Sequence, residues 1–423
     1  MGIIGFGRRC SEPPKNEGEI HECCGRDCDG RKGSSVKRKR TILKIGLVGV
    51  AATIVPIIGA GRAFADYAPQ PGDVVGVGGD TPQYALEFGA DGDTSGDLGF
   101  NSAGAYNRLV TFNATADGNG RSAYTNSVTT GVPSVALNPT DVLRAGTVPV
   151  QRVQSSGAGI SALLADTGSP ETINFIFSAS LPTSGNQTTA AGLGWGYLHV
   201  VEIGTDSVEI AADSTATNAP AGLSAADLLN IYKGTYTTWN EIPGNSGGST
   251  DTIIPLIPPS GSSIYKTFIA DLTTANGGTA PTLSTSVKTV EQNDPTAITG
   301  ASIPADAIVP FSAARLTLWN DGYFHNPATV FPGSSSALSP GVKLLTGTPG
   351  DGSVYSSPIT DYVIFRNSDA TSTTAFEPGG TKNWVQTLFS DPGGSAPFFA
   401  KSAGQALIAA SGVTPVYDDL GDA

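Results

Sequence analysis

TIIPLIPPSGSSIYKTFIADL, Thr252–Leu272, is the stretch around which the chain is organised. An apolar run of strand length, Ile253–Ile257, meets the turn Ser260-Gly261-Ser262-Ser263, and the turn opens directly into an amphipathic helical pattern. Ile264, Phe268, Ile269 and Leu272 recur at helical spacing, so one face is apolar. A strand–turn–helix corner aims several free backbone N–H groups and the positive end of the helix at one point, which is how proteins commonly hold anions. Ser260, Ser262 and Ser263 add hydroxyls there. A single turn of this kind is more often an ordinary surface turn. Here it recurs.

Asp73–Gly79 (DVVGVGG) reads as a buried strand, and Asp80-Thr81-Pro82 then starts a helix with a cap and a proline at its first position. Thr147–Val153 is strand-like, and Gln154-Ser155-Ser156-Gly157 turns toward a helix over Ile160–Asp166. Ile173–Ser178 is a short apolar strand ending in Ser178-Ala179-Ser180. Further strands are expected at Arg108–Asn113, Tyr197–Ile203, Ser207–Ala212, Ala307–Phe311 and Ile359–Phe365, with Gly204 separating the second and third. Helices are expected at Ala225–Tyr232, Ser312–Trp319, Lys382–Leu388 and Phe398–Ala410. The first of these carries reciprocal caps in Ser224 and Asp227 and a closing Gly234. Strands alternating with helices predict an α/β protein with mostly parallel sheets and two lobes.

Composition narrows the setting. Lys37–Arg40 precedes the apolar run Ile42–Gly61, which ends at Ala63-Phe64-Ala65; this is an export signal with cleavage expected after Ala65. No cysteine follows the apolar run, so there is no lipid-anchor site, and the chain is expected to be secreted or held at the cell surface. Val36 is an alternative start, which would leave residues 1–35 untranslated. All four cysteines, Cys10, Cys23, Cys24 and Cys28, precede the signal, and with His21 their spacing fits no standard zinc finger. Residues 1–65 hold 12 of the 24 basic and 6 of the 37 acidic residues, so the remainder carries 12 against 31, a formal −19. That balance argues against nucleic acid or an anionic membrane as partner. A cysteine-free mature chain needs a true apolar core.

Enzyme chemistry finds little support. Only His199 and His325 remain after cleavage, and neither has triad spacing. Gly244-Asn-Ser-Gly-Gly248 matches G-x-S-x-G by letter, but no helix follows it as a nucleophile elbow requires, so it reads as a turn. Neither a metal nor a cofactor is implied.

The corners and their order resemble the phosphate-binding proteins of bacterial phosphate ABC importers. LSAADLLNIYKGTYTTWN (223–240) with the opening stretch, VVGVGGDTP (74–82), QSSGAGISALLAD (154–166), DAIVPFSAARL (306–316), SPITDYVIF (357–365) and GQALIAASGVTPV (404–416) carry the likeness. It implies a type 2 periplasmic-binding fold with a central ligand cleft, lobe one being 66–203 plus 320–423 and lobe two 204–319. Four corners would converge on a small oxyanion, most simply phosphate, held by Asp80, Thr81, Arg152, Ser155, Ser156, Gly157, Ser178, Ser260, Gly261, Ser262 and Ser263. Arg152, Lys266 and Arg315 are the basic candidates near these corners.

Three departures from the family pattern stand out. The family turn Ser-Gly-Ser-Gly-Thr is here Ser260-Gly261-Ser262-Ser263-Ile264, and its upstream arginine is replaced by Ile257-Pro258-Pro259. The family's third-site carboxylate is absent at Phe177-Ser178-Ala179, leaving Asp80 as the substitute. The resemblance implies a monomeric solute-binding protein serving an ABC permease. The alternative is a ligand-free secreted surface or matrix protein on the same fold.

Overall fold

The computed structural model describes residues 69–93, 95–114, 140–147, 150–324 and 338–423. The export signal, the cysteine cluster and His325 lie outside them. Strand β1 (Val74–Gly78) is buried along its whole length, as a central parallel strand must be. It lies between β2 (Leu109–Thr111) and β5 (Phe175–Ser178), with Val75 opposite Val110 and Val77 opposite Ile176. The hairpin β3 (Thr140–Asp141)–β4 (Val150–Gln151) stands apart as a small second sheet. Glycine makes the tight approach within the first wing possible. A β-carbon at Gly76 would run into the Phe175 ring. Gly76→Ala is therefore expected to cost about 1–3 kcal/mol by overpacking. A urea titration showing less than about 0.5 kcal/mol lost would contradict this.

A second parallel wing places β7 (Ile254–Ile257) between β8 (Lys288–Thr289) and β9 (Ala307–Ser312). Two long strands join the wings. β6 (Leu198–Asp213) and β11 (Ser357–Arg366) pair antiparallel, from Val208 opposite Ser357 to Leu198 opposite Arg366. β11 also pairs with β5 and β6 with β9, both antiparallel, while β10 (Val342–Leu344) and β12 (Thr414–Gly421) flank β6. The main order is β2-β1-β5-β11-β6-β9-β7-β8. The α/β class is as expected, with the parallel pairs in the two wings.

The long strands contribute to each of the apolar cores, and two of these cores show how the faces divide. Val201 and Ile203 of β6 join Phe175, Phe177, Val363, Phe365 and Phe389, whereas Val208 and Ile210 join Leu228, Tyr232, Trp239, Phe268 and Ile359. The two strands expected on either side of Gly204 are in fact one. Gly204 stays in the ladder because Asp361 pairs with it on one side and Pro415 on the other, and the Val413 side chain fills the space a β-carbon would take.

Five helices position the site: α1 (Gln83–Asp91), α2 (Ser156–Ala165), α3 (Ala225–Lys233), α4 (Ser263–Ala275) and α5 (Ala313–Asn320). α3 has the reciprocal Ser224/Asp227 caps and the left-handed Gly234 expected of it. α2 begins four residues earlier than its apolar pattern, because the Ser155 hydroxyl accepts Ala158 N–H and caps it there. The helix Ser184–Gly192 was not expected; its sequence has almost no apolar stripe, and a Thr183/Asn186 capping box starts it. Among the described residues no helix is long and apolar enough to cross a membrane.

Candidate functional site

Serines make the second, third and fourth corners locally. The first corner lacks the cap expected of it: Pro82 is the N-cap of α1 rather than its first residue, and no side chain caps the helix there. At the fourth corner Ser262 is the N-cap of α4, its hydroxyl accepting Tyr265 N–H at 3.0 Å. At the second, Ser155 plays the same part for α2. The third corner folds on itself, Ser178 Oγ donating to Ser180 O at 2.6 Å and accepting Ser180 N–H at 3.0 Å. Gly244–Gly248 follows a short 3-10 turn and is a turn, without an elbow helix.

Tertiary structure then brings these corners together. Thr81 Oγ1 and Ser263 Oγ lie 2.9 Å apart, joining the first corner to the fourth across 182 positions of sequence. Ala179 N–H donates to Ser156 Oγ at 2.9 Å, joining the third to the second. Gly79 N–H donates to Phe177 O at 2.9 Å, tying the first corner to the strand that carries the third. A β-carbon at Gly261 would stand 3.8 Å from Ser155 Oγ, so the fourth and second corners also face each other. The N-termini of α1, α2 and α4 therefore meet in one place. Ser178, Ser156, Ser262, Ser263 and Thr81 are buried there, while Gly157, Ser260 and Gly261 are exposed at its mouth.

The three basic candidates have different surroundings. Arg152 is buried, its guanidinium 2.7 Å from Asp141 Oδ1 and donating to Asn113 O at 2.8 Å. Arg315, on α5, is held by the first corner: it lies 3.2 Å from Asp80 Oδ1, donates to Asp80 O at 2.8 Å and stacks over the Tyr84 ring at 4.3 Å. Lys266 is exposed on the first turn of α4, and its Nζ would be 3.7 Å from a β-carbon on Gly157.

Asp80 is almost wholly buried and also accepts Asn293 Nδ2–H at 2.6 Å. Asn293 was not anticipated. It takes the left-handed conformation at φ 55° and accepts Ser312 N–H at 2.9 Å, linking the first corner to the start of α5. Its one sequence signal is chemical: Asn tolerates that backbone better than most residues, and Gln292-Asn293-Asp294-Pro295 has turn character. Behind Arg315 lie two more buried carboxyls. Asp206 accepts Ala314 N–H at 2.9 Å and the Ser312 hydroxyl, whereas neither oxygen of Asp361 has a hydrogen-bond partner among the described residues. Burial raises both, Asp361 well above the usual carboxylate range, with Asp206 pushing in the same direction and Arg315 opposing.

No curated protein matches the chain. Among solved structures, it is similar to a phosphate-binding protein from Stenotrophomonas maltophilia at 15% identity and TM-score 0.42, covering 81% of this chain and 90% of that one. It is also similar to an ABC-type phosphate transport receptor from Vibrio cholerae, at 15% identity and TM-score 0.37, covering 62% and 86%. PstS from Borrelia burgdorferi matches at 12% identity and TM-score 0.38, covering 81% and 98%. The family model described as the PBP superfamily domain matches residues 113–391, a span that takes in the second, third and fourth corners. By that match, the chain belongs to the PBP superfamily.

Proposed function

We propose that this protein is an extracytoplasmic solute-binding protein that closes on a small oxyanion, phosphate first among them, and delivers it to an ABC-type permease. In this reading residues 66–203 with 320–423 form one lobe and 204–319 the other, the signal ending at Ala65 exports the chain, and it works as a monomer. One observation carries the proposal: corners distant in sequence converge, with Thr81 and Ser263 in contact at 2.9 Å. Backbone N–H groups and hydroxyls at helix N-termini hold a dehydrated oxyanion without a buried cation. Hydrogen phosphate also offers a proton, which a carboxylate accepts and sulfate cannot supply. Asp80, at the first corner, is the carboxylate proposed for that contact, which requires it to open from Arg315 and Asn293, since both its oxygens are engaged by them and its side chain is wholly buried.

The test is thermal unfolding of protein purified by a phosphate-free route, against phosphate, sulfate and arsenate. Phosphate monoesters belong in the panel to test whether the site takes more than a free anion. A ligand present at 100 times its dissociation constant adds about 2.7 kcal/mol of stability. Phosphate is expected to raise the unfolding temperature, and the rise should shrink when Ser155→Ala is combined with Ser262→Ala. If no anion shifts unfolding after refolding has stripped retained ligand, the binding reading fails and a ligand-free surface protein takes its place.

A further inference from the structure

Of the three cations near the corners, two face carboxylates: Arg152 pairs with Asp141 and Arg315 with Asp80. Lys266 does not. Among the described residues its side chain makes no hydrogen bond or ion pair. It stands in the first turn of its own helix, α4, and its Nζ reaches the first turn of α2 opposite, 3.7 Å from where a β-carbon on Gly157 would sit. Water solvates the exposed ammonium, but the positive ends of two helices mildly disfavour a cation between them, and an anion there would reverse that. The nearby glycines, Gly157 and Gly261, leave that space open to solvent. In a chain of formal charge −13, no carboxylate among the described residues pairs with this lysine.

We infer that Lys266 is a ligand-contacting residue, the cation that closes over the oxyanion between the N-termini of α2 and α4. This rests on the solute-binding reading above. Lys266 replaces by position what the turn itself lacks, since Ile257-Pro258-Pro259 brings no positive charge to the fourth corner.

The two roles separate by measuring binding and ligand-free stability in the same variants. Phosphate is titrated calorimetrically into the wild type, Lys266→Gln and Lys266→Arg, and the unfolding temperature of each is taken without ligand at low salt. Lys266→Gln is expected to weaken binding about tenfold, the usual scale for one charge-assisted hydrogen bond, while its ligand-free unfolding temperature stays level or rises. Lys266→Arg should recover most of the affinity, and the wild-type affinity should fall with added salt more steeply than that of Lys266→Gln. Binding by Lys266→Gln within roughly twofold of wild type overturns the inference and leaves the solute-binding reading standing. A ligand-free loss of stability matching the loss of affinity also overturns it, since the lysine would then be a structural tie. Should the wild type bind no oxyanion, the solute-binding reading fails at that first titration and this inference falls with it.

Discussion

Arg315→Ala is expected to lower the unfolding free energy by about 3–5 kcal/mol, the cost of removing one partner from a buried ion pair. The magnitude follows from what the guanidinium faces. Its side chain is 2% exposed and that of Asp80 0%, so neither charge is screened by water. Asp206 and Asp361 are close enough for its charge to act on both. Without it, three carboxyls are left buried together, and each must find a proton or remain an uncompensated charge. Arg315→Lys keeps the charge but gives up the two-point hold on Asp80 and the stacking on Tyr84, so it should fall between wild type and alanine. Urea unfolding of the three proteins measures this directly. A loss below about 1 kcal/mol for the alanine variant would mean that the pair stabilises little more than a surface one.

The second large effect is on pH. Burial raises Glu87 from 4.5 to about 7, against an opposing hydrogen bond from Tyr323. Burial, with Glu171 beside it, raises Asp369 from 3.8 to about 7 against Arg366, and burial holds Asp361 well above its ordinary 3.8. A carboxyl whose folded pKa is raised binds more protons in the folded state than in the unfolded one across that interval. Stability from such groups is complete below their ordinary values and is lost as pH rises through the folded ones. The window here runs from about pH 4 to about pH 7, and continues higher for Asp361. Glu87 alone amounts to something on the order of 3 kcal/mol.

The protein is accordingly expected to unfold at a higher temperature near pH 5 than near pH 8. Glu87→Gln should flatten part of that slope, and Asp361→Asn should raise the unfolding temperature at pH 8 by removing a carboxylate that the unfolded chain prefers to ionise. Asp419 works the other way. Burial would raise it, but hydrogen bonds to His199 and Ser390 outweigh burial and hold it low, so its contribution disappears only in stronger acid. Calorimetric scans between pH 4.5 and 8 decide the matter. An unfolding temperature that climbs steadily from pH 5 to pH 8 would sink the prediction.

Much of the local structure was legible from residues alone. The opening stretch became β7, a serine-capped turn and α4, because its apolar run, its Ser/Gly turn and its helical spacing all act within a few residues of one another. The caps at Ser155, Ser224 and Ser262 follow from the same short-range chemistry. What local pattern misjudged was continuity. Gly204 reads as a break, yet β11 and β12 pair with it on both sides; the ladder continues through it, and glycine's preference survives only as a shift of register beside it on both neighbours.

The α/β class and the chemistry of most corners follow from neighbours along the chain, since a cap, a turn and an amphipathic face are local. Which charges meet depends on the folded chain. Arg315 and Asp80 are 235 positions apart, and Asn293 lies 213 positions from the carboxylate it contacts. Nothing in their local sequence distinguishes Arg315, taken by a buried aspartate, from Lys266, which pairs with none of the described residues. Pairing of charges depends on distance and burial in the folded chain, and both are set by how the sheet brings remote strand ends together.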